Sequence, residues 1–446
     1  MRRTLLALVL VLMTLPGCPA PTAPGDAAPS DSALVDASRG DVGVDASDDA
    51  GRDAGHDARV IPDGGAEVDP HWGEREVCAF AAGARPSDTL GDLAPLRAAI
   101  THVIILVQEN RSFDHMFGTL GHGTEGIPAG YTNPYMGGDL APFPLTSPCV
   151  PDIGHQWIEM HIGWNHGAMD GWASINGQGA LGYYQDADHP FYSWMLTTFA
   201  TSDRYFCSVL SGTYPNRDYL YAGTSDGVHA TGGGYPDVPT VFDQLDDAGI
   251  AWGEYNASTT EVLSGTLGWP LDHVGVHPYA ELLPALDAGT IPPVTFVDLE
   301  PHDEHPPGSI HDGERDVRDV VMHAMASPLW PHLAFFYTYD EGGGFFDHVP
   351  PPSACLAAPS ERDFDVLGGR VPVAVVSPYA RPGYVSHLTH HHSSILRFVQ
   401  AVYDLPALTG RDANADAMLD LFDFGSPAFA TPPATVPEAA PAGCGG

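Results

Sequence analysis

Four continuous apolar segments stand out along the chain, and each ends in polar or structure-breaking residues. They are His102–Gln108, Val294–Asp298, Leu333–Tyr339 and Val371–Ser377. Apolar runs of this length, bounded in this way, are typical of buried β-strands. Helical spacing of apolar positions occurs between them, in Val241–Ala248, Glu314–Met325 and Ser394–Tyr403. Continuous apolar strands that alternate with helices predict an α/β fold, a mostly parallel sheet flanked by helices.

Polar side chains follow two of these strands directly. Glu109 and Asn110 come after the first strand, and Asp340 and Glu341 come after the third. Ligands of parallel sheets bind beyond the carboxyl ends of the strands, and carboxylate and amide oxygens suit divalent cations. The pattern indicates a metal site, although each pair alone is equally explained by turn or helix-capping residues. The glycine run 342–344 after Glu341 would let a backbone pass close to this site.

A hydroxyl lies between a glycine and a predicted helix start at Thr213. Pro215 suits the first turn of that helix, and the exposed N–H groups of a helix start attract phosphate. Arg217, one turn further on, could add a bidentate phosphate contact. The alternative is that Thr213 only caps the helix through its side chain.

The charge of the chain is strongly negative. It has 57 acidic residues and 18 basic ones, all of them arginine, so its formal net charge is -39. Binding to nucleic acid needs clustered Lys and Arg, and this composition argues against such a partner and against attraction to an anionic lipid surface. A phosphate substrate would therefore need a local positive charge, and a metal ion is the obvious source.

The sequence of the first 70 residues predicts an export signal followed by a segment that attaches the protein to a membrane. Residues 1–17 resemble a lipoprotein signal peptide, with Arg2 and Arg3 before the apolar run Leu5–Leu15. Cys18 follows as the predicted lipidation site of an exported cell-envelope lipoprotein, at the outer membrane or cell surface; the alternative is an ordinary secretory signal. Residues 18–70 are rich in Ala, Asp, Gly and Pro, and we expect a disordered tether there. We expect a catalytic domain over 71–427 and a Pro/Ala-rich tail over 428–446.

Cysteine usage fits an exported protein but leaves the pairing open. Five cysteines follow the tether, and an odd number leaves at least one thiol free. They are Cys78, Cys149, Cys207, Cys355 and Cys444.

Seven segments, in order, resemble motifs of the bacterial phosphoesterase family of phospholipases C and acid phosphatases, a branch of the alkaline phosphatase superfamily. The segments begin with Gln108-Glu-Asn-Arg-Ser-Phe-Asp-His-Met-Phe-Gly118 and include Ser211-Gly-Thr-Tyr-Pro-Asn-Arg217 and Tyr339-Asp-Glu-Gly-Gly-Gly-Phe-Phe-Asp-His348. Asp303-Glu-His-Pro-Pro307 and His392-Ser-Ser-Ile-Leu-Arg-Phe398 are two of the others. Together the segments span about residues 100 to 405. An alkaline-phosphatase-like fold is therefore expected.

The resemblance implies a role for each site residue. A divalent metal ion (Mg, Ca, Mn or Zn), whose number the sequence leaves open, would be held by Glu109, Asn110, Asp340, Glu341 and the Thr213 oxygen. Thr213 would be the nucleophile and would form a phosphothreonine. Arg217 and Asn216 would bind substrate, and the catalytic histidines of the phosphate pocket would be His155, His305 and His392. Secondary candidates, with a supporting role, are Asp303, Asp347 and His348.

Two departures from the family pattern affect these assignments. Gly342 stands where the family often has His or Asn, and His390-His391 stand before His392 where an acidic residue is usual, so the match of His392 is uncertain by one position. We favour a phospholipase C-type phosphodiesterase acting on a phospholipid. The alternatives are an acid phosphatase acting on small monoesters and a non-catalytic surface-binding lipoprotein. Five aromatic residues could cage a choline group or pack in the core: Trp157, Trp164, Trp172, Tyr183 and Tyr184.

Overall fold

A computed structural model describes residues 70–256, 266–268 and 275–444 of the chain. The predicted signal peptide, Cys18 and all of the predicted tether except Pro70 lie outside these residues. The residues described belong to one compact unit. None of the described helices is long and apolar enough to cross a membrane.

The strands are short except for two of the central ones. In chain order they are β1 (His102–Gln108), β2 (Asn133–Tyr135), β3 (Gly138–Leu140), β4 (Phe143–Pro144), β5 (Gly182–Tyr183), β6 (Ala200–Ser202), β7 (Tyr205–Phe206), β8 (Trp252–Asn256), β9 (Val276–Pro278), β10 (Val294–Asp298), β11 (Leu333–Tyr339), β12 (Val373–Val376), β13 (Val385–Ser386) and β14 (His390–His391).

The α-helices surround these strands. In chain order they are α1 (Trp72–Glu76), α2 (Pro86–Thr89), α3 (Ala94–Ala99), α4 (Phe113–Phe117), α5 (Trp157–Trp164), α6 (Trp172–Asn176), α7 (Pro190–Thr198), α8 (Thr213–Ala222), α9 (Val241–Ala248), α10 (Leu282–Ala288), α11 (Ile310–Ala326), α12 (His392–Tyr403) and α13 (Gly410–Ala413).

Eight strands form one mixed sheet in the order β13-β6-β12-β11-β1-β10-β8-β9. The five strands from β11 to β9 run parallel, whereas β12 is antiparallel to both β11 and β6. The central strands β10 and β11 are buried along their whole length, and β1 is buried from its second residue onward. Strands that carry apolar side chains on both faces need helices on both faces, as a mostly parallel α/β sheet provides. The predicted fold class is confirmed.

The predicted strands and helices agree closely with the observed ones. The segments β1, β10 and β11 and the helix α9 have the predicted bounds, while β12 is shorter than the predicted Val371–Ser377. Helix α11 begins four residues before Glu314, because Ser309 caps it with a side-chain hydrogen bond from the His311 N–H.

Two disulfides join distant parts of the chain, Cys78–Cys355 and Cys149–Cys444, and Cys207 is a buried free thiol. The second disulfide fixes the predicted Pro/Ala-rich tail. Residues 437–441 contact α11, where the Ala440 N–H donates to the Glu314 carboxylate at 2.7 Å. The tail is therefore held by covalent and polar contacts to the catalytic unit.

Candidate active site

The four predicted metal ligands meet at the carboxyl edge of the sheet. Gln108 pairs with Tyr339 in the parallel register of β1 and β11, so Glu109 lies beside Asp340. The Asn110 backbone N–H donates to Asp340 Oδ1 at 3.1 Å. Glu109, Asn110, Asp340 and Glu341 are all buried, and Asn110 adopts a left-handed conformation with φ 65°. Two adjacent strand ends thus bring together the two polar pairs that the sequence places far apart.

The glycine run after Glu341 allows a close approach of three segments. Gly343 has φ 64°, and a Cβ there would lie 2.1 Å from the Asn110 carbonyl oxygen. Gly344 has φ 72°, and a Cβ there would lie 2.3 Å from the carbonyl oxygen of Gly154. The segment before His155 is therefore packed directly on the loop after β11, which a larger residue would prevent.

Arg217 lies among the carboxylates with its guanidinium group buried. It contacts Asp298 Oδ2 at 2.8 Å, Glu109 Oε1 at 3.0 Å and Asp340 Oδ2 at 3.4 Å. Asp298 was not among the predicted site residues, although its position at the end of a predicted strand of the same sheet was a signal for it. The predicted contact of Arg217 with phosphate stays a prediction, since the contacts in the structure are to these carboxylates.

The negative charge of the cluster exceeds what Arg217 neutralises. Burial, followed by the Asp340 carboxylate, raises the pKa of Glu109 well above its usual value, and Arg217 acts in the opposite direction. Burial and Asp340 likewise raise the pKa of Glu341. A bound cation would favour the charged form of both groups.

Two oxygen atoms of the cluster fit a cation directly. Asn110 Oδ1 and Glu341 Oε1 are buried acceptors that have no hydrogen-bond partner among the described residues. The other Glu341 oxygen accepts from the Gly343 N–H at 2.8 Å. Buried acceptors are rarely left unpaired, and carboxylate and amide oxygens are ligands of hard divalent cations. The residues present therefore fit a divalent metal ion.

Thr213 is the first residue of α8, and its N-cap is Gly212. The capping alternative for Thr213 is therefore wrong. Thr213 and Arg217 are four residues apart in α8 and therefore share a helix face, and Arg217 binds the carboxylates from that face. Thr213 is buried but retains 6% exposure, and its hydroxyl has no hydrogen-bond partner in the described part of the chain. A hydroxyl held in this way is available to an incoming group.

Asn216 uses its side chain to shape the loop before Thr213. Its Oδ1 accepts from the Ser208 and Val209 N–H groups, and its Nδ2 donates to the carbonyls of Ser211 and Gly212. These contacts hold the loop that presents Thr213. The predicted contact of Asn216 with substrate stays a prediction.

His155 and His305 form one wall of the site. Their ring centroids are 5.8 Å apart, and His155 Nε2 lies 3.4 Å from Asn110 Nδ2. Each Nδ1 lies 2.7 Å from a carbonyl oxygen, of Ile153 and Pro306 respectively. A carbonyl only accepts, so each Nδ1 carries a proton and each Nε2 is the nitrogen left for chemistry.

His392 is buried behind the cluster. Its Nε2 lies 2.6 Å from the Asp340 carbonyl oxygen, and its Nδ1 lies 2.9 Å from the Tyr205 hydroxyl. Burial lowers the pKa of His392 to about 4, so the ring is neutral and donates from Nε2. Both nitrogens hold protein groups, so the structure supports a positioning role for His392, and its predicted catalytic role stays a prediction.

The secondary candidates divide into two groups. Asp303 accepts from the His305 N–H at 3.1 Å, and burial raises the pKa of Asp303 to about 6. Asp347 and His348 belong instead to a buried network with Asp114 and Arg370. Arg370 Nε lies 2.9 Å from Asp347, and His348 Nδ1 lies 2.6 Å from Asp114.

Two of the five aromatic residues that could cage a choline group are buried and inaccessible to a ligand. Trp172 and Tyr184 are each 1% exposed and pack in the core. Trp157, Trp164 and Tyr183 are half-buried.

A mostly parallel sheet with a charged, partly unpaired cluster at its carboxyl edge is the arrangement of α/β proteins that bind ligands beyond their strand ends, a class that includes many enzymes. Comparison with known proteins makes this class specific. The sequence model described as "Phosphoesterase family" matches residues 100–406, and the chain belongs to that family. It is therefore a hydrolase that acts on phosphate esters.

The chain is similar to several phospholipases C. It is 32% identical to phospholipase C B of Mycobacterium tuberculosis over 411 residues, which cover 74% of this chain and 78% of the relative. It is 30% identical to the non-hemolytic phospholipase C of Burkholderia pseudomallei over 447 residues, 79% of this chain and 62% of the relative. A solved structure of a protein in the alkaline phosphatase superfamily from Vibrio parahaemolyticus aligns over 72% of this chain and 70% of the Vibrio chain. The TM-score is 0.39 and the sequence identity is 10%, so this likeness is too distant to bear on function.

Proposed function

We propose that this protein is a metal-dependent phosphodiesterase of the phospholipase C type, which works through a covalent phosphothreonine at Thr213. The observation that carries the proposal is the pair of unpartnered buried oxygens, Asn110 Oδ1 and Glu341 Oε1, inside a cluster of carboxylates that Arg217, one helical turn after Thr213, also binds.

The cluster would hold one divalent ion through Glu109, Asn110, Asp340 and Glu341. When bound, such an ion supplies positive charge that lowers the pKa of a neighbouring hydroxyl and neutralises a phosphoryl oxygen. Arg217 keeps the carboxylates at fixed separations by binding three of them, and His392 fixes the Asp340 backbone from behind.

Thr213 then attacks phosphorus in line with the ester oxygen of the leaving group. The Thr213 hydroxyl loses its proton to solvent as the bond from phosphorus to its oxygen forms, the bond to the leaving oxygen breaks, and the leaving oxygen takes a proton from a protonated histidine. Water next attacks phosphorus, releases the phosphorylated head group and returns a proton to the threonine oxygen. The position of Thr213 at the start of a helix aids both steps, because the exposed N–H groups there favour a phosphate.

The two wall histidines are the proton carriers of this scheme. In both His155 and His305 the Nδ1 donates to a carbonyl, which leaves the Nε2 for proton transfer; in His155 this atom lies 3.4 Å from Asn110 Nδ2. A protonated Nε2 donates to the leaving oxygen, and the neutral ring that results accepts a proton from the attacking water. Either ring can serve in this scheme, since both have the same tautomer fixed by a carbonyl.

A phospholipid is the proposed substrate because relatives of both bacterial lineages named above are phospholipases C. The leaving group would be a diacylglycerol, and the phosphorylated head group would be attached covalently to Thr213 before water releases it.

We also propose that the protein is exported and anchored through a lipid on Cys18, on the strength of the signal-like sequence alone. A Cys18→Ser chain should move from the membrane fraction to the soluble fraction of the producing cell. A variant that stays in the membrane fraction would contradict the anchor.

The enzymatic test uses nitrophenyl phosphorylcholine and nitrophenyl phosphate with the chain from residue 71 onward. The chain is stripped with EDTA and then supplied with Mg, Ca, Mn or Zn. Thr213→Val is the test variant and Thr213→Ser is its matched control, because serine keeps the hydroxyl. We expect metal-dependent cleavage of the diester, loss of activity in Thr213→Val and partial activity in Thr213→Ser.

Other results would change the proposal in defined ways. Preference for the monoester would favour an acid phosphatase with the same nucleophile. Undiminished activity of Thr213→Val would refute the covalent route. Absence of cleavage with every metal would favour the non-catalytic alternative.

A further inference from the structure

A second group of metal-ligating side chains lies outside the active site. It consists of His390 on β14 and of Asp416 and Asp420 in the segment before the C-terminal tail. One ligand atom from each residue lies within 4.8 Å of the others. His390 is fully buried, and the side chains of Asp416 and Asp420 are 15% and 6% exposed.

The distances within this group suit a shared cation better than a hydrogen bond. His390 Nε2 lies 3.4 Å from Asp416 Oδ1 and 3.4 Å from Asp420 Oδ1. A charge-assisted hydrogen bond from a single N–H points at one oxygen at about 2.7–2.9 Å. Ligands about 2.0–2.2 Å from a tetrahedral zinc ion lie about 3.3–3.5 Å from one another. Two oxygens at equal distances from one nitrogen match that second spacing.

Unpartnered atoms in the group point to a ligand independently of these distances. Both ring nitrogens of His390 are buried and make no hydrogen bond within residues 70–256, 266–268 and 275–444, and the same holds for Asp420 Oδ1. The other oxygen of Asp420 accepts from the Ser386 hydroxyl, which fixes the direction of the carboxylate. Buried polar atoms are normally hydrogen-bonded, and a cation between these side chains would give His390 Nε2 and Asp420 Oδ1 the close partner that each lacks at 3.4 Å. Asp416 Oδ1 already accepts from the Met418 N–H at 2.8 Å.

A cavity borders one member of the group, Asp416. Its volume is about 370 Å³, and Asp416 lies in its wall together with His391 and the disulfide Cys78–Cys355. An ion can therefore reach Asp416 from solvent, and a water molecule in the cavity can complete its coordination.

We propose that His390, Asp416 and Asp420 form a second metal site, for a divalent ion of the zinc class, distinct from the catalytic cluster. Imidazole with two carboxylates is a donor set that zinc accepts. The ion would tie β14 to the 416–420 segment. It would thereby fix the start of α12, where His392 donates to the Asp340 carbonyl behind the active site.

The test measures zinc content on the full chain after removal of metal with a chelator and dialysis against zinc. His390→Gln and Asp420→Asn are the site variants. His323→Gln is the matched control, because His323 Nδ1 also lies 2.6 Å from a carboxylate, that of Asp287, but belongs to no metal-ligating group among the described residues. We expect each site variant to bind about one zinc ion fewer per chain than the wild type. The control should bind as much as the wild type.

The results that would support the second metal site differ from those that would overturn it. Unchanged zinc content in folded His390→Gln and Asp420→Asn overturns the proposal. If the variants do not fold, anomalous diffraction at the zinc edge from wild-type crystals decides: a peak between His390 Nε2 and the two aspartates supports the site, and its absence refutes it. Neither readout depends on catalysis, so failure of the proposed function leaves this test intact.

Discussion

Replacing Arg217 by Met tests the electrostatic account of the cluster in depth. The substitution keeps an unbranched apolar side chain in place but removes the charge that contacts Glu109, Asp298 and Asp340. Removal of one partner from a buried ion pair costs about 3–5 kcal/mol, because the other charge stays buried and unpaired. Because three carboxylates lose their partner, we expect the free energy of unfolding in EDTA to fall by about 3–5 kcal/mol.

The same substitution should strengthen metal binding. Without the guanidinium group, the carboxylates repel one another more and attract a divalent ion more strongly. Each tenfold gain in affinity adds about 1.4 kcal/mol to the stabilisation by a saturating ion. The stabilisation by added metal should therefore be larger in Arg217→Met than in the wild type.

The assay is urea unfolding in EDTA and at a series of free metal concentrations. Arg315→Met is the control, since its ion pairs with Asp312 and Asp316 are partly exposed and are worth about 0–1 kcal/mol. A loss in Arg217→Met no greater than in the control would refute the assigned charge balance. Equal stabilisation by metal in variant and wild type would show that the ion binds elsewhere.

Three further predictions concern the nucleophile, the glycine run and a buried acid. Thr213→Val should lower kcat about 10³-fold or more, because no other hydroxyl replaces the nucleophile, and steady-state kinetics against Thr213→Ser checks this. Gly343→Ala should destabilise the fold by at least about 1–2 kcal/mol, because alanine disfavours the left-handed conformation of Gly343 and its Cβ would clash with the Asn110 carbonyl. Gly369→Ala is the control, since a Cβ at Gly369 meets no atom within 4 Å, and thermal unfolding compares the two variants. Burial raises the pKa of Glu314 to about 7 from its usual 4.5, so its contribution to stability is present below pH 4.5 and is lost as the pH rises through 7. Glu314→Gln should flatten that part of a plot of Tm against pH, and an unchanged slope would contradict the assignment.

The strands of the active-site edge could be predicted from sequence because both of their faces are buried. The mostly apolar runs of β1, β10 and β11 predict buried strands, and the polar residues after them mark the strand ends. The strands β6 and β13, at the other end of the sheet, have three and two residues, too few for a hydrophobic period to show.

The partners of individual site residues could not be predicted in the same way. Sequence spacing places Arg217 one turn after Thr213, which is confirmed, but it carries no information on Asp298, which binds Arg217 from 81 positions away. His392 likewise matches a motif, yet its contacts with Tyr205 and the Asp340 backbone come from the packing of α12 beneath the sheet edge. Long-range pairs of this kind depend on tertiary packing that no local pattern records.

The central claim, a covalent intermediate on Thr213, is tested most directly by the stereochemistry at phosphorus. A chiral nitrophenyl phosphorothioate diester is hydrolysed by the metal-loaded enzyme in isotopically labelled water, and the configuration of the product is determined. Two successive in-line displacements, on Thr213 and then by water, predict overall retention of configuration. Inversion would show a single direct attack by water and would contradict the account.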